Sequence, residues 1–453
     1  MTAPAARPRP ARRAIDDLSL TVDEAAVEAL AAASPDWLAA DRRAAFERWS
    51  SLPAESNLLY TPYIDLRAAS LQDAQFVTAP AIDDRPSGPV LPDDADGLIE
   101  VLEGGSAGVV LSTAASAVGV RLRPLGDDLE AARESLLGEH ALPATDKFAQ
   151  LTRALWSHGV VLDIPDGVRL AKPIVIRWSL GEPNRALVTR TLVRIGDGAD
   201  ATVVEELVPS SDADVEAQSF FAGTMEVTLG AGASLQVASL QELPTNVVAV
   251  QHRTATIGEG ARLQWALAQL GGRLVRSRVD NRLLGDRSSV RQVEIVFGAE
   301  EQLFDLTSYT THIGRDTTGD LLSKAALMER SRTYMKGLIV IEKSAHGTDS
   351  FLGEFGMNLS KDARSVAIPS LEIDQPDCRR AAHSSSVGPV DEGQLFYLET
   401  RGIPPDEARK FVVLGFLEPV VARVPLASAQ DRLRELLEAK WVAASVGVGE
   451  AAA

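Results

Sequence analysis

The spacing of apolar residues divides the chain into three textures. From about residue 19 to 158 apolar positions recur mostly at helical intervals. Trp37, Leu38, Ala45 and Trp49 fall on one helical face. Thr21-Val-Asp-Glu24 has capping-box spacing behind Leu20, and Ser34-Pro35 reads as an N-cap followed by the first helical residue. The segment DDLEAARESLLGEH predicts a helix ending near Gly138. Phe148, Leu151 and Leu155 predict another over about 145–157. Between about 60 and 140 the pattern is mixed.

From about Val160 to Ile373 the texture changes to short runs of Val, Ile, Leu and Thr. A punctuation recurs between them: Ile195-Gly-Asp-Gly-Ala199, Leu229-Gly-Ala-Gly-Ala233, Ile257-Gly-Glu-Gly-Ala261 and the degenerate Leu284-Gly-Asp-Arg-Ser288. Gly196, Gly230, Gly258 and Gly285 stand 34, 28 and 27 residues apart. A fixed corner at such a period is a repeat signal. Glycine admits a positive-φ corner that other residues resist, and runs such as ASLQVASL supply alternating inward and outward positions. One such unit cannot bury its apolar face alone, but stacked copies can. The pattern predicts a β-solenoid, with a sandwich joined by hairpins as the alternative. A six-residue period is missing, which excludes the left-handed hexapeptide helix.

After His383 the spacing is helical again. Asp391 and Gln394 sit as N-cap and N3, Val390 is placed to staple Leu395, and Gly402 reads as a C′ stop. Pro404-Pro405-Asp-Glu407 opens a helix carrying Ala408, Phe411 and Val412. Leu433, Leu436, Leu437 and Trp441 mark a last amphipathic helix.

Composition narrows what these elements do. A net charge of -18 over 453 residues argues against nucleic acid and anionic membrane as partners. No apolar run approaches the ~18 residues needed to span a bilayer. The opening MTAPAARPRPARRA lacks the apolar core of a secretory signal and reads as a disordered tail, which leaves the cytoplasm as the expected location. The single cysteine, Cys378, cannot build a Cys₄ zinc or iron–sulfur site within one chain. No G-x-x-x-x-G-K-[ST] or G-x-S-x-G is present, and the G-x-G turns lead into strands, so they are corners rather than phosphate cradles.

Three sets of residues remain as candidate chemistry. Asp305, Asp316 and Asp320 would serve a polysaccharide-cleaving solenoid if they shared one face. Cys378 and His383 resemble a metal pair, but five residues along a continuous strand put them on opposite faces, roughly 16 Å apart at ~3.3 Å per residue, unless a bulge intervenes. His383 alone fits a junction histidine bonded to a nearby carbonyl. As a metal ligand it needs partners from elsewhere, including another chain.

The C-terminal block carries a resemblance to a known family. LEIDQPDC is followed by AAHSSSVGPVDEGQLFYLETRGIPPDEARKFVVLGFLEPVV. Within it lie His383, Gly388, Leu395-Phe-Tyr-Leu398, Arg401-Gly402, Glu407-Ala408 and Gly415-Phe416. This block resembles the SufB/SufD family of iron–sulfur cluster assembly proteins, and its SufD branch more closely. Weaker similarity covers DKFAQLTRALWSHGVVLDIPDGVRLAKPIVI, YMKGLIVIEKSAHGTDS and the Pro35-Asp-Trp-Leu38 region. Ser384 follows the histidine where SufB-type chains carry Glu, and GEFGMNLSKDA lacks their strand cysteine; both departures favour SufD.

The resemblance implies a mainly β chain: a right-handed parallel β-helix flanked by N-terminal and C-terminal helical regions. With the spacing it divides the chain into a tail (1–18), a helical and mixed region (19–158), a β-helix core (159–385) and a C-terminal helical domain (386–453). It implies a non-catalytic subunit that pairs with a SufB-like scaffold and binds a SufC-type ABC ATPase. The docking surface would include Phe396, Tyr397, Arg401, Gly402, Phe411 and Phe416. His383 would be the interfacial iron or cluster ligand, with Cys378 a weaker candidate. The cargo would be a transient iron ion or iron–sulfur cluster shared with the partner, none being held stably by this chain alone. A homodimeric scaffold of the same family and a carbohydrate-active solenoid are the alternatives.

Overall fold

The computed structural model describes residues 17–55, 65–78, 88–104, 107–138, 142–210 and 217–450, with side chains to residue 444. Nearly all of the expected tail lies outside these residues. Among these residues two sheets of ten strands each are present, and sixteen parallel strands form their repeating part. One contains His158–Ile164, Arg185–Ile195, Ser219–Leu229, Val247–Ile257, Leu274–Leu283, Leu303–His312, Arg332–Ile341 and Arg364–Ile373. The other contains Ile174–Leu180, Asp200–Pro209, Ser234–Gln241, Arg262–Gln269, Ser289–Gly298, Thr318–Leu327, Thr348–Asn358 and Cys378–Pro389. Successive strands alternate between the sheets, so the chain winds through about 8 turns of a parallel β-solenoid.

Alternate strand residues point inward, and the register stacks them in rows. Val203, Val237 and Trp265 lie in line on neighbouring strands. They join Ile176, Val193, Ala255 and Val279 in one continuous core. The corners stack as well: the N–H of Gly230 donates to Ile195 O, and that of Gly258 to Leu229 O, each 2.9–3.0 Å away.

The two glycines of each corner do different jobs. Gly198, Gly232 and Gly260 carry the positive φ (64–67°), and Arg287 and Asp316 occupy the same conformation in later turns. The first glycine has ordinary φ and is required by space instead. A Cβ on Gly258 would lie 2.7 Å from Leu229 O, and one on Gly285 2.0 Å from Glu259 N. The period read from Gly196, Gly230, Gly258 and Gly285 therefore marks close stacking of turns, not the left-handed corner expected from sequence.

Helices Glu24–Ala32, Asp36–Ser51 and Lys147–Leu155 pack on the outer face of the first sheet, with Leu38, Phe148 and Leu151 meeting Val188 and Phe220. Their caps differ from expectation. Asp23, rather than Thr21, accepts from Ala26 N, while Pro35 holds the N-cap position and Ser34 Oγ donates back to Leu30 O. The mixed stretch has a structural reason. Gly97–Leu102 joins the second sheet, Ala107–Leu111 pairs antiparallel with it, and Arg121–Pro124 pairs antiparallel with His158–Ile164.

At the other end the last strand continues to Pro389, past the boundary at 385 expected from sequence. Helices Glu392–Thr400, Pro405–Val421 and Ala427–Glu450 follow. Val413, Leu417, Leu433, Leu437 and Trp441 pack on Ala266, Val293, Ile295 and Phe297 of the second sheet's outer face.

Candidate functional site

His383 lies in the middle of the terminal strand Cys378–Pro389, not at a strand-to-helix junction. It pairs with Leu352, which is 1% exposed and faces the interior. The terminal strand and Arg364–Ile373 are the last members of their sheets, so each leaves one row of backbone groups without a strand neighbour among the described residues. The turn they form is thinly covered. His383 and Ser384–Val387 are exposed although their partners inside are buried. Among the described residues His383 has no hydrogen-bond or ion-pair partner. Ala381, Ala382, Ser384, Ser385 and Ser386 flank it with small side chains only.

Cys378 is on the same face as His383. Thr348 pairs with Cys378 but Asp349 pairs with Arg380, so Arg379 is an extra, bulged residue. The bulge cancels the odd spacing, and both residues stand opposite inward positions, Thr348 and Leu352. The opposite-face expectation is corrected, but the separation is not closed: four rungs at ~3.3 Å still leave about 13 Å between them. Cys378 packs against the small core of Leu321, Ile339 and Leu352. No group of three or more His, Cys, Asp or Glu suited to a metal ion is present among the described residues.

Behind His383 the solenoid interior is not uniformly apolar. Arg253 donates to Glu205, to Ser239 Oγ at 2.9 Å and to Gln251 Oε1 at 3.1 Å. Ser277 Oγ donates to Glu294 Oε1 at 3.1 Å. Burial pushes the Glu294 carboxyl up to about 7. In the row beside His383 the inward residues are Glu294, Ser323, Glu354 and then Ser385 on the edge.

Glu354 is 2% exposed and has no ion-pair partner among the described residues; its Oε2 is unbonded. Burial drives its pKa to about 8, although the Ile368 N–H pulls the other way; the charge of Glu294 adds a smaller upward push. Its Oε1 lies 2.8 Å from where a Cβ on Gly337 of the opposite sheet would be. The sequence reading missed this residue. A lone glutamate in GEFGMN gives no sign in the sequence of facing inward.

The helices beyond the strand present the expected aromatic residues unevenly. Glu392–Thr400 is capped by Asp391, which accepts from Gly393 and Gln394 N, and stops at Gly402 with φ 88°. None of its residues is buried. Phe396 and Tyr397 are 69% and 57% exposed, and Phe411 on the next helix is 56% exposed. Arg401 stacks over Tyr397, 5.1 Å from the ring centroid. Phe416 is placed differently. It packs against the solenoid under Lys324, which donates to its carbonyl at 2.6 Å.

The three aspartates do not converge. Asp305 is buried on the first sheet's outer face beside Lys336, Asp316 is at a corner with Arg379, and Asp320 is on the second sheet near Arg291 and Arg423.

Comparison with known proteins bears on most of the solenoid. The family described as "SUF system FeS cluster assembly, SufBD core domain" matches residues 178–416, more than half of the chain, including most of the solenoid, His383 and the exposed aromatics. The chain belongs to the SufBD family. It is 29% identical over 295 residues to the iron–sulfur cluster assembly protein SufD of Bacillus subtilis, covering 65% of this chain and 67% of that one. It is 27% identical over 294 residues to an iron–sulfur cluster assembly SufBD family protein of Staphylococcus epidermidis, covering 65% and 62%. The chain thus spans somewhat under two thirds of that second relative. Family membership places it among SUF-system iron–sulfur cluster assembly proteins. Among the described residues no helix is long and apolar enough to cross a membrane.

Proposed function

We propose that this chain is a SufD-type, non-catalytic subunit of a cytoplasmic SUF complex. Its solenoid end pairs with a SufB-like scaffold, and its C-terminal helices dock a SufC-type ABC ATPase. The observation that carries this reading is the uncovered last turn. Two sheet edges with unpaired backbone groups invite another chain to add strands, and an unpartnered imidazole stands in the middle of one of them. Neutral imidazole suits iron as a ligand, so an iron ion or nascent cluster, as cargo, would be shared across the boundary.

The exposed Phe396, Tyr397 and Phe411 support the ATPase surface. Phe396 and Tyr397 are large apolar side chains on a helix that buries nothing of its own, and Phe411 is exposed on the next helix; such exposed apolar groups mark an interaction site. Arg401 and Gly402 shape that surface by stacking and by ending the helix. Phe416 instead ties the next helix to the solenoid, so motion of the motor would reach the terminal turn through it. The scattering of Asp305, Asp316 and Asp320 removes the basis for a polysaccharide-cleaving alternative.

The test is co-expression with SufB-like and SufC-like partners from the same genome, with purification through a tag on this chain. Native mass and iron–sulfur content are recorded for wild type and His383→Ala. A ternary complex that persists in the variant but loses its cluster makes His383 a site residue. A complex that falls apart makes it structural. If the wild-type chain captures neither partner, the heteromeric reading fails.

A further inference from the structure

Glu354 is an unusual carboxyl. Several carboxylates buried in this solenoid have side-chain donors: Glu205 receives Arg253, Glu226 receives Arg190 at 2.7 Å, and Glu294 receives Ser277, whereas Glu354 accepts from a backbone N–H, that of Ile368. Glu354 has an unbonded oxygen in a nearly inaccessible position and no cation beside it among the described residues. Burying such a group is costly, and a methionine or leucine would fill the volume without that cost. The cost falls one strand from the only exposed, unpartnered imidazole of the terminal turn.

The register places the two groups together. Leu352 pairs with His383, and Glu354 lies two residues further along the same strand on the same face. That is the diagonal neighbour relation, about 7–8 Å between backbones and within reach of long side chains. Ser385 stands opposite Glu354, Gly337 lies across the interior, and the Leu352 side chain packs in the same space. Imidazole and carboxylate together form a ligand pair suited to borderline divalent ions such as ferrous iron.

We propose that Glu354 and His383 together form the half-site that this chain offers to a divalent cation, the carboxylate reaching out from inside the last turn and the imidazole standing at the edge. The remaining coordination positions are open to water or to a partner's ligands. This deepens the reading of His383 given above and rests on it, but it assigns a ligand role to a buried residue of this chain.

The probe is Co(II) added anaerobically to the full-length chain, read by its visible ligand-field absorption. Wild type, Glu354→Gln, His383→Ala and the double variant are compared, with thermal unfolding of each as a folding control. Glutamine preserves the shape of the neutral carboxyl, so Glu354→Gln remains folded. The expected result is one weakly bound cobalt in wild type and an affinity at least tenfold lower in each single variant. The double variant is expected to lose no more than the worse single one, as for two ligands of one ion. Cobalt binding by Glu354→Gln that matches wild type overturns the proposal, as does a wild-type chain that binds none. Partner capture is scored separately, so failure of the heteromeric reading is not mistaken for failure of the cation site.

Discussion

The two ends of the solenoid are built from similar strands and finished in opposite ways. At the first end Arg121–Pro124 pairs antiparallel with His158–Ile164, and Ala115, Val120 and Leu122 close the interior. A buried carboxyl there, Glu103, accepts from the backbone N–H of Glu182. At the last end Arg364–Ile373 and Cys378–Pro389 have no further strand among the described residues, and the inward residues of the final strand are half-buried or exposed. A repeat fold needs a cap wherever it stops. The difference teaches that similar strands can be finished with a cap or left with open edges, and the proposed partner surface rests on the open ones.

The largest expected effect tests whether the ends differ in energy. Trp178, 1% exposed and packed near Phe221, belongs to the closed end. Trp178→Ala should cost about 3–5 kcal/mol in denaturant unfolding. Val387, 42% exposed at the open end, should cost under ~0.5 kcal/mol as Val387→Ala. A large loss at Val387 in the isolated chain would mean that another copy already covers that end.

The next effect concerns the corners shared by all turns. Gly258→Ala drives a Cβ against the backbone of the preceding turn and should cost more than ~2 kcal/mol. Gly260→Ala meets nothing within 4 Å and pays only for its φ of 64°, about 1 kcal/mol. Equal losses in thermal unfolding would show that the turns do not stack as described.

A pH series compares the ends directly. Burial raises Glu103 and Glu354 to about 8 from 4.5. Between these values the folded chain holds a proton at each site that the unfolded chain has released. Stability therefore falls as pH rises from 4.5 to 8, by up to ~1.4 kcal/mol per unit for each carboxyl. Glu354→Gln should flatten that slope and raise stability at pH 8 while changing little at pH 4.5. Glu103→Gln should flatten it too, but with a smaller net gain, because it weakens the bonds to the 181–182 backbone. An unchanged slope in Glu354→Gln would mean that this carboxyl is ionised in the folded chain. The smallest effect on folding belongs to Phe396→Ser and Phe411→Ser, within ~0.5 kcal/mol, while ATPase capture should be lost.

How far the sequence could be read depended on the range of the forces involved. Asp391, Gly402 and the helices at 147–155 and 427–450 were legible because caps and helical periodicity are local. Thr21 and Ser34 misled because Asp23 was an equally good cap and Pro35 moved the helix start. The Cys378–His383 geometry misled because the bulge at Arg379 is set by pairing with Thr348–Asp349, thirty residues away. Glu354 was invisible because a lone glutamate in a strand gives no sign of facing inward.

By itself the sequence determined that this protein is a solenoid flanked by helices, and it singled out His383 and the aromatic helix. Periodicity and repeated corners follow from neighbours along the chain, and a long specific motif needs no coordinates. Only the tertiary structure decided that His383 stands in an open edge strand, that Cys378 shares its face at a distance, and that Glu354 faces inward two residues beyond its partner Leu352. Those facts depend on which strand is last and on register across the turns, and both are set by packing between residues far apart in the chain.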